Sequence, residues 1–166
     1  MAKIAKIAPC LWFEDQGEKA AKFYVGIFPR SKILRVNRYS KAGQEIHGRR
    51  PGSVMTVDFQ LAGQHFTARN GGPLFTFSEA ISFQVMCDDQ AEIDYYWKKL
   101  GAGGDPRAQV CGWLKDRFGV SWQIVPHRLA RLYRDHTSPK TERAMAAMMG
   151  MKKLDIVALE RAYAGK

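Results

Sequence analysis

Cys111 is the side chain in this sequence with the makings of a nucleophile. It stands in the run Cys111-Gly112-Trp113, followed closely by Lys115, Asp116 and Arg117. A thiol attacks as its thiolate, so activation requires a nearby cation or a helix N-terminus. Lys115 and Arg117 supply cations along the chain, but strand alternation need not bring either to the sulfur. Free cysteine is among the most buried residue types, and the reading favours a packed, inert thiol over a catalytic one. Asp116 is the companion candidate for acid–base work, although an aspartate between two strands more readily stabilises their turn. Cys10, Cys87 and Cys111 are odd in number and show no CxxC spacing. A disulfide framework or a zinc knuckle therefore finds no support, and a reducing cytoplasm is expected. His65 lies within a strand pattern, His47 in a polar loop, and His127 and His136 flank a helical segment. One histidine does not make a metal site. Gly101-Ala102-Gly103-Gly104 is the sole glycine cluster that could cradle a nucleotide-like cofactor. Such a turn must follow a strand and open a helix; this one follows a predicted helix, so no cofactor is expected.

The elements that must position these residues repeat. Glu14-Asp15-Gln16-Gly17-Glu18 recurs as Asp88-Asp89-Gln90-Ala91-Glu92. Asp15 and Asp89 each have a glutamate three residues on, the spacing of a helix N-terminal capping box. Before each copy lies a strand-like stretch, Ile7 to Phe13 and Ile81 to Cys87. After each comes a helix with aromatics on one face: Phe23, Tyr24 and Phe28, then Tyr96 and Trp97 with Leu100. In the first half, Ile33 to Tyr39 reads as a strand. Ser53 to Leu61 alternates apolar and polar residues, and Ala62-Gly63 turns it into Gln64 to Asn70. Asn70-Gly71-Gly72-Pro73 then breaks the chain. In the second half, Gly101 to Pro106 is a loop, and Gln109 to Lys115 forms a hairpin with Val120 to Val125. Beyond Pro126 the pattern is helical: Ser138-Pro139 is a cap followed by proline at the first helical position. Ala144, Met145, Met148 and Met149 form a stripe there, and Leu154 to Tyr163 makes a last helix. The expected organisation is a domain over residues 1–126, with halves 1–73 and 74–126, and a helical tail over 127–166.

Composition restricts the function classes. The 46% hydrophobic and 11% aromatic content is that of a folded globule, and no apolar run reaches the ~20 residues of a membrane span. Met1 to Lys6 lacks a signal peptide's apolar core and reads as mature protein. The formal charge of +10 sits at the two ends. Residues 1–40 carry 8 basic against 3 acidic side chains, residues 41–126 balance at 9 each, and residues 127–166 carry 9 against 4. A nucleic-acid binder concentrates its basic residues on one groove or helix. Scattered pairs such as Arg49-Arg50 and Lys98-Lys99 favour general solubility and attraction of anionic ligands instead.

Paired βαβββ units with this helix signature resemble the vicinal-oxygen-chelate superfamily of glyoxalases, extradiol dioxygenases and antibiotic-binding proteins. Pro9-Cys10-Leu11-Trp12-Phe13, Ala20-Ala21-Lys22-Phe23-Tyr24, Ile27-Phe28-Pro29 and Asn70-Gly71-Gly72-Pro73 are similar to the PhnB-like branch. So are Ile81-Ser82-Phe83, Cys111 to Asp116, Phe118 to Gln123 and the Met/Lys-rich tail, so that the resemblance spans nearly the whole chain. It implies an α+β fold of the glyoxalase/bleomycin-resistance/dioxygenase kind with C-terminal helices. The family often carries the name demethylubiquinone 3-methyltransferase. Metal-using relatives draw His and Glu ligands from four strands, and those positions fall here at Ala8 or Pro9, near Thr67, at Ser82 or Phe83, and at Gln123. None offers an imidazole or a charged oxygen, so the resemblance implies no metal.

The concave face of each half is where relatives bind small molecules. Residues expected to line it are Trp12, Met55, Val57, Phe59, Phe66, Phe83, Trp113 and Trp122, with Asn70, Ser82, Cys111 and Gln123 as polar points. Strand aromatics are more often core than ligand platform; for Trp113 both readings stand. The leading expectation is a metal-free small-molecule-binding protein. The alternatives are an enzyme of the kind the family name states, or an isomerase or transferase working through Cys111 or Asp116. The expected partners are a small-molecule ligand and a second copy of the chain, with no membrane and no specific nucleic acid. A homodimer would cover open sheet edges and the tail's apolar stripe of Leu129, Leu132, Met145, Met148, Met149 and Leu154.

Overall fold

The computed structural model describes residues 6–166, and the sequence reading of the first five residues lies outside the described part. The chain falls into two compact units, residues 1–76 and 77–166.

The first unit is a complete βαβββ motif. Strand β1 (Cys10–Phe13) leads to helix α1 (Gly17–Val25), then to β2 (Lys32–Arg38), β3 (Val54–Leu61) and β4 (Gln64–Asn70). The sheet order is β1-β4-β3-β2, with β1 parallel to β4 and the other pairs antiparallel. The Ala62-Gly63 turn has both residues at positive φ, 46° and 93°, as a tight right-twisted hairpin demands. Alternation divides the sheet into two faces. Val57, Phe59, Leu61, Phe66 and Ala68 are buried on one face, with Ala20, Ala21 and Tyr24 of α1 as their counterparts. Tyr24 stacks on Phe59 and Phe59 on Phe66, with ring centroids 6.4 and 5.5 Å apart. A one-turn helix, α2 (Gln44–His47), occupies the loop expected to be irregular.

The two expected capping boxes differ in outcome. At α3 (Gln90–Gly101), Asp89 Oδ1 accepts from the Glu92 backbone N–H at 2.9 Å, and Glu92 reaches back to the Asp88 N–H. At α1 the cap is Gln16, with no capping bond from its side chain, and Asp15 does not cap. The Gly17 N–H donates instead to the buried Asn70 Oδ1 of β4 at 2.7 Å. A Cβ at Gly17 would lie 2.7 Å from that oxygen, so glycine is what lets the helix start there.

The second unit contains β5 (Phe83–Cys87), α3, a 3-10 turn η1 (Pro106–Ala108), β6 (Trp113–Lys115) and β7 (Ser121–Pro126). Its sheet has three strands in the order β5-β7-β6, one fewer than the repeat implied. Where the missing strand would lie the chain forms η1, whose N–H at Arg107 is capped by Asp105. The expected strand from Gln109 is broken by a two-residue turn at Cys111 and Gly112, with φ of 48° and 84°. Val110 and Trp113 exchange backbone hydrogen bonds across it.

The tail forms α4 (Leu129–Leu132), α5 (Pro139–Met149), begun by the Ser138 cap and Pro139, and α6 (Ile156–Ala164), capped by Asp155. It docks on its own unit. Leu154 and Leu159 bury with Val125, and Leu129, Leu132, Met148 and Met151 pack around them. The Cys111 and Gly112 N–H groups donate to the Met151 and Lys152 carbonyls at 2.8 Å each. Gln90 bridges the Leu154 carbonyl and the Ile156 N–H. Most of the stripe expected to need a second subunit is therefore covered within the chain.

Candidate functional site

In the first unit, the sheet face turned away from α1 presents Cys10 and Trp12 from β1, Thr56 and Asp58 from β3, and His65, Thr67 and Arg69 from β4. A cavity of about 270 Å³ opens there, bordered by Ala8, Leu34, Arg35, Asp58, His65, Phe66 and Thr67. Arg35 and Asp58 are register partners on neighbouring strands, as are His65 and Gln60. The Thr67 hydroxyl donates to Asp58 Oδ1 at 3.0 Å, which fixes the carboxylate beside the cavity. The cavity thus offers a guanidinium, a carboxylate, an imidazole and a hydroxyl around apolar walls, the mixture of a small-molecule site. Further along the same face, Trp12 donates from Nε1 to the Gly72 carbonyl at 2.9 Å, and Arg69 lies over its ring at 5.4 Å. The ring rests on Gly71, where a Cβ would come within 2.0 Å of it.

In the second unit the face turned away from α3 carries Gln84, Trp113, Lys115, Ser121 and Gln123. Gln123 Nε2 donates to Ser82 Oγ at 2.8 Å, and Gln84 Nε2 donates to Gln123 Oε1 at 3.3 Å. Lys115 pairs with Glu79. Among the described residues, the buried Ser121 hydroxyl has no hydrogen-bond partner.

The residues expected to line a pocket divide by strand parity. Trp12, Ser82, Trp113 and Gln123 belong to these faces turned away from α1 and α3, although the second unit's is partly covered, with Ser121 buried and Val125 packed against Leu154 and Leu159. Met55 shares the parity of buried Val57 and Phe59, on the side of α1. Phe66 stacks on Phe59 in that core while also bordering the cavity. Asn70 is spent on structure: it accepts from Gly17, donates to the Val54 carbonyl, and receives the Tyr39 hydroxyl on its backbone oxygen. Phe83 and Trp122 meet at 5.4 Å on the side of α3. Asp116 is also structural: its buried carboxylate accepts from the Phe118 and Val120 N–H groups and from Trp122 Nε1. Cys111 stands at the turn against the tail, half-buried. Burial pushes the Cys87 thiol up to about 12 and raises that of Cys10 as well.

Arg35 and Asp58 were absent from the sequence reading. The signal for Asp58 was a lone carboxylate within the alternation of Val54 to Leu61; Arg35 sits at a shift in strand register, which obscures its face. Among the described residues no three His, Cys, Asp or Glu side chains converge to hold a metal ion. Asp58 and His65 are the two such donors bordering the first-unit cavity. This donor set does not fit the divalent centre of metal-using relatives, which takes at least three protein ligands.

A βαβββ sheet with one helix-covered face, followed by a reduced copy of itself, defines the class as the glyoxalase or vicinal-oxygen-chelate fold. Solved structures agree at the level of fold. The fosfomycin resistance protein FosX of Listeria monocytogenes, solved with manganese(II) and a dihydroxypropylphosphonic acid, is 18% identical with a TM-score of 0.51, covering 79% of this chain and 98% of its own. Protein PA1353 of Pseudomonas aeruginosa is 18% identical at a TM-score of 0.56, covering 74% and 97%. A PhnB protein from Bacillus cereus is 34% identical at a TM-score of 0.62, covering 74% of this chain and 99% of its own. The family described as 3-demethylubiquinone-9 3-methyltransferase matches residues 5–125, and the chain belongs to this PhnB-like family. No curated protein matches it. The tail, included in the resemblance read from the sequence, lies beyond the family match.

Proposed function

We propose that this chain is a metal-independent, cytoplasmic small-molecule-binding protein, seating its ligand in the first-unit cavity between Arg35, Asp58, His65 and Thr67. The observation that carries the reading is that cavity: a mixed polar and apolar site on the sheet face turned away from α1. Trp12, on the same sheet face, is assigned as a further ligand contact, and Ser82, Trp113 and Gln123 as candidate contacts of a separate site on the second unit's own sheet. Arg35 beside a carboxylate favours a ligand carrying both an acceptor and a donor group, such as a hydroxy acid or an amino acid derivative. The reading is tested by a metabolite-library thermal-shift screen on the wild type and on Arg35→Ala and Asp58→Asn. A compound that raises the melting temperature of the wild type should lose most of that effect in both variants. Hits unaffected by either substitution would move the site elsewhere.

The activity in the family's name finds no support in the site. Binding S-adenosylmethionine in the usual way takes a glycine-rich turn between strand and helix of a doubly wound sheet, and Gly101 to Gly104 instead closes α3. Gly104 packs against β6, where a Cβ would fall 1.9 Å from the Lys115 carbonyl oxygen. Calorimetric titration with S-adenosylmethionine should give no specific heat. An enzymatic role through Asp116 is disfavoured by the commitment of its carboxylate to two N–H groups and an indole. We also assign a homodimer, on the open edges of the two sheets, and no specific nucleic-acid partner. Among the described residues no helix is long and apolar enough to cross a membrane.

A further inference from the structure

Strand register lines up two rows of side chains on the first-unit sheet face turned away from α1. One row runs Cys10, Thr67, Asp58 and Arg35 across β1, β4, β3 and β2, and three of its members border the cavity. The next row runs Trp12, Arg69, Thr56 and Asn37. Same-face neighbours along a strand lie about 6.5 Å apart, so the two rows form one surface. The second row holds hydrogen-bond donors and no carboxylate. Arg69 is half-buried, with its guanidinium over the Trp12 ring at 5.4 Å. The ring attracts the charge but accepts none of the N–H bonds as an oxygen would. Among the described residues that guanidinium has no carboxylate or carbonyl partner. The indole is itself fixed, since its Nε1–H donates to the Gly72 carbonyl at 2.9 Å. Thr56 Oγ1 accepts from Asn37 Nδ2 at 2.9 Å, which leaves the Thr56 hydroxyl proton to be donated. Burial raises the pKa of the Cys10 thiol, with Arg69 opposing the shift and Asp58 adding to it. Both charges therefore act at the same point of the face.

We propose that Arg69, backed by Trp12 and flanked by Thr56, is the subsite for a carboxylate group of the ligand. On the reading of this sheet face as the ligand site, on which the subsite rests, the ligand is a monoanionic hydroxy or amino carboxylate. A guanidinium presents a planar fork of donors that meets a carboxylate bidentately. In the adjacent row Arg35 and Asp58 are register partners of opposite charge, which leaves Arg69 to balance one negative charge. That favours a carboxylate over a phosphate dianion. With the carboxylate at Arg69, the hydroxyl or ammonium group of the ligand faces Asp58 and Thr67 in the cavity.

The test is a titration of the full, isotopically labelled chain with β-hydroxybutyrate, followed by the arginine Nε–H and tryptophan Nε1–H signals in two-dimensional NMR spectra. The Arg69 and Trp12 signals, assigned by their loss in Arg69→Lys and Trp12→Phe, should shift saturably. Read at Trp12, Arg69→Ala should abolish the response, and Arg69→Lys should weaken affinity roughly tenfold because the fork is lost. Lys32→Ala, which removes an exposed cation from the same sheet, should change nothing. The diol of the same carbon skeleton, which lacks the charge, should give no saturable shift. A response that survives Arg69→Ala, an equal response to the diol, tighter saturation by inorganic phosphate, or no saturable shift at all would overturn the carboxylate subsite. Binding that survives Arg69→Ala but is lost in Asp58→Asn would leave the cavity as the ligand site, so the two readings fail separately.

Discussion

At the scale of single residues, burial and partners show which polar groups hold the fold. The Asp116 carboxylate sits at 2% exposure and accepts from donors that include Trp122 Nε1 at 2.8 Å. Trp122→Phe keeps most of the ring volume and removes that donor. Leaving a buried acceptor without that partner costs about 1–3 kcal/mol, and more where the group is charged, to be read from the urea midpoint. Cys87 gives a second test. Desolvation first, then Glu92, Asp88 and Asp89, hold its thiol protonated up to about 12. At pH 8 to 9 it carries almost no thiolate in the folded state, so iodoacetamide followed by peptide mass mapping should find it labelled only after unfolding. Rapid labelling in the native state would contradict its burial. Residue types alone could name Asp116 and Cys111 as chemically capable, but not which would be spent on structure, because that depends on partners up to 38 positions away in the chain.

At the scale of elements, most boundaries followed from alternation and caps. Gln64 to Asn70 falls where the pattern places it, Ala62-Gly63 turns as expected, and Ser138-Pro139 starts α5. What the pattern could not fix was decided by contacts made across the chain. Asp15 and Asp89 have the same local spacing, but Asn70 takes the first N–H of α1. The repeat implied a fourth strand in the second unit, yet Asp105 and Pro106 favour a capped 3-10 turn there. Several pocket residues were assigned to the faces turned away from α1 and α3 because an apolar strand residue reads alike on either face. The helix contacts, not the residue types, determine the parity of Met55, Phe66 and Trp122. The close approach of Gly104 to β6 gives an element-scale prediction. A Cβ there meets the Lys115 carbonyl oxygen at 1.9 Å and backbone carbon atoms at 3.0 to 3.2 Å. Because the obstacle is backbone and not a flexible side chain, Gly104→Ala should destabilise by the ~1–3 kcal/mol typical of overpacking. A neutral effect on the melting temperature would mean that the loop can move away from β6 freely.

At the scale of the whole molecule, the tail changes the argument for assembly. Leu154 and Leu159 are fully buried against Val125 within one chain, and burying such a side chain is worth about 1.5–3 kcal/mol. The tail's demand for a partner surface is thus largely met internally, and the case for a homodimer rests on sheet edges. Light scattering at micromolar concentration should return about twice the 18.8 kDa chain mass; a monomer that keeps its stability on dilution would remove the dimer from the account. The central claim is ligand binding without a divalent metal, and it is tested most directly by the metabolite-library thermal-shift screen run in the presence of EDTA. The account predicts at least one small organic molecule that stabilises the wild type in EDTA and fails to stabilise Asp58→Asn. Stabilisation that appears only when EDTA is replaced by manganese or zinc would contradict it.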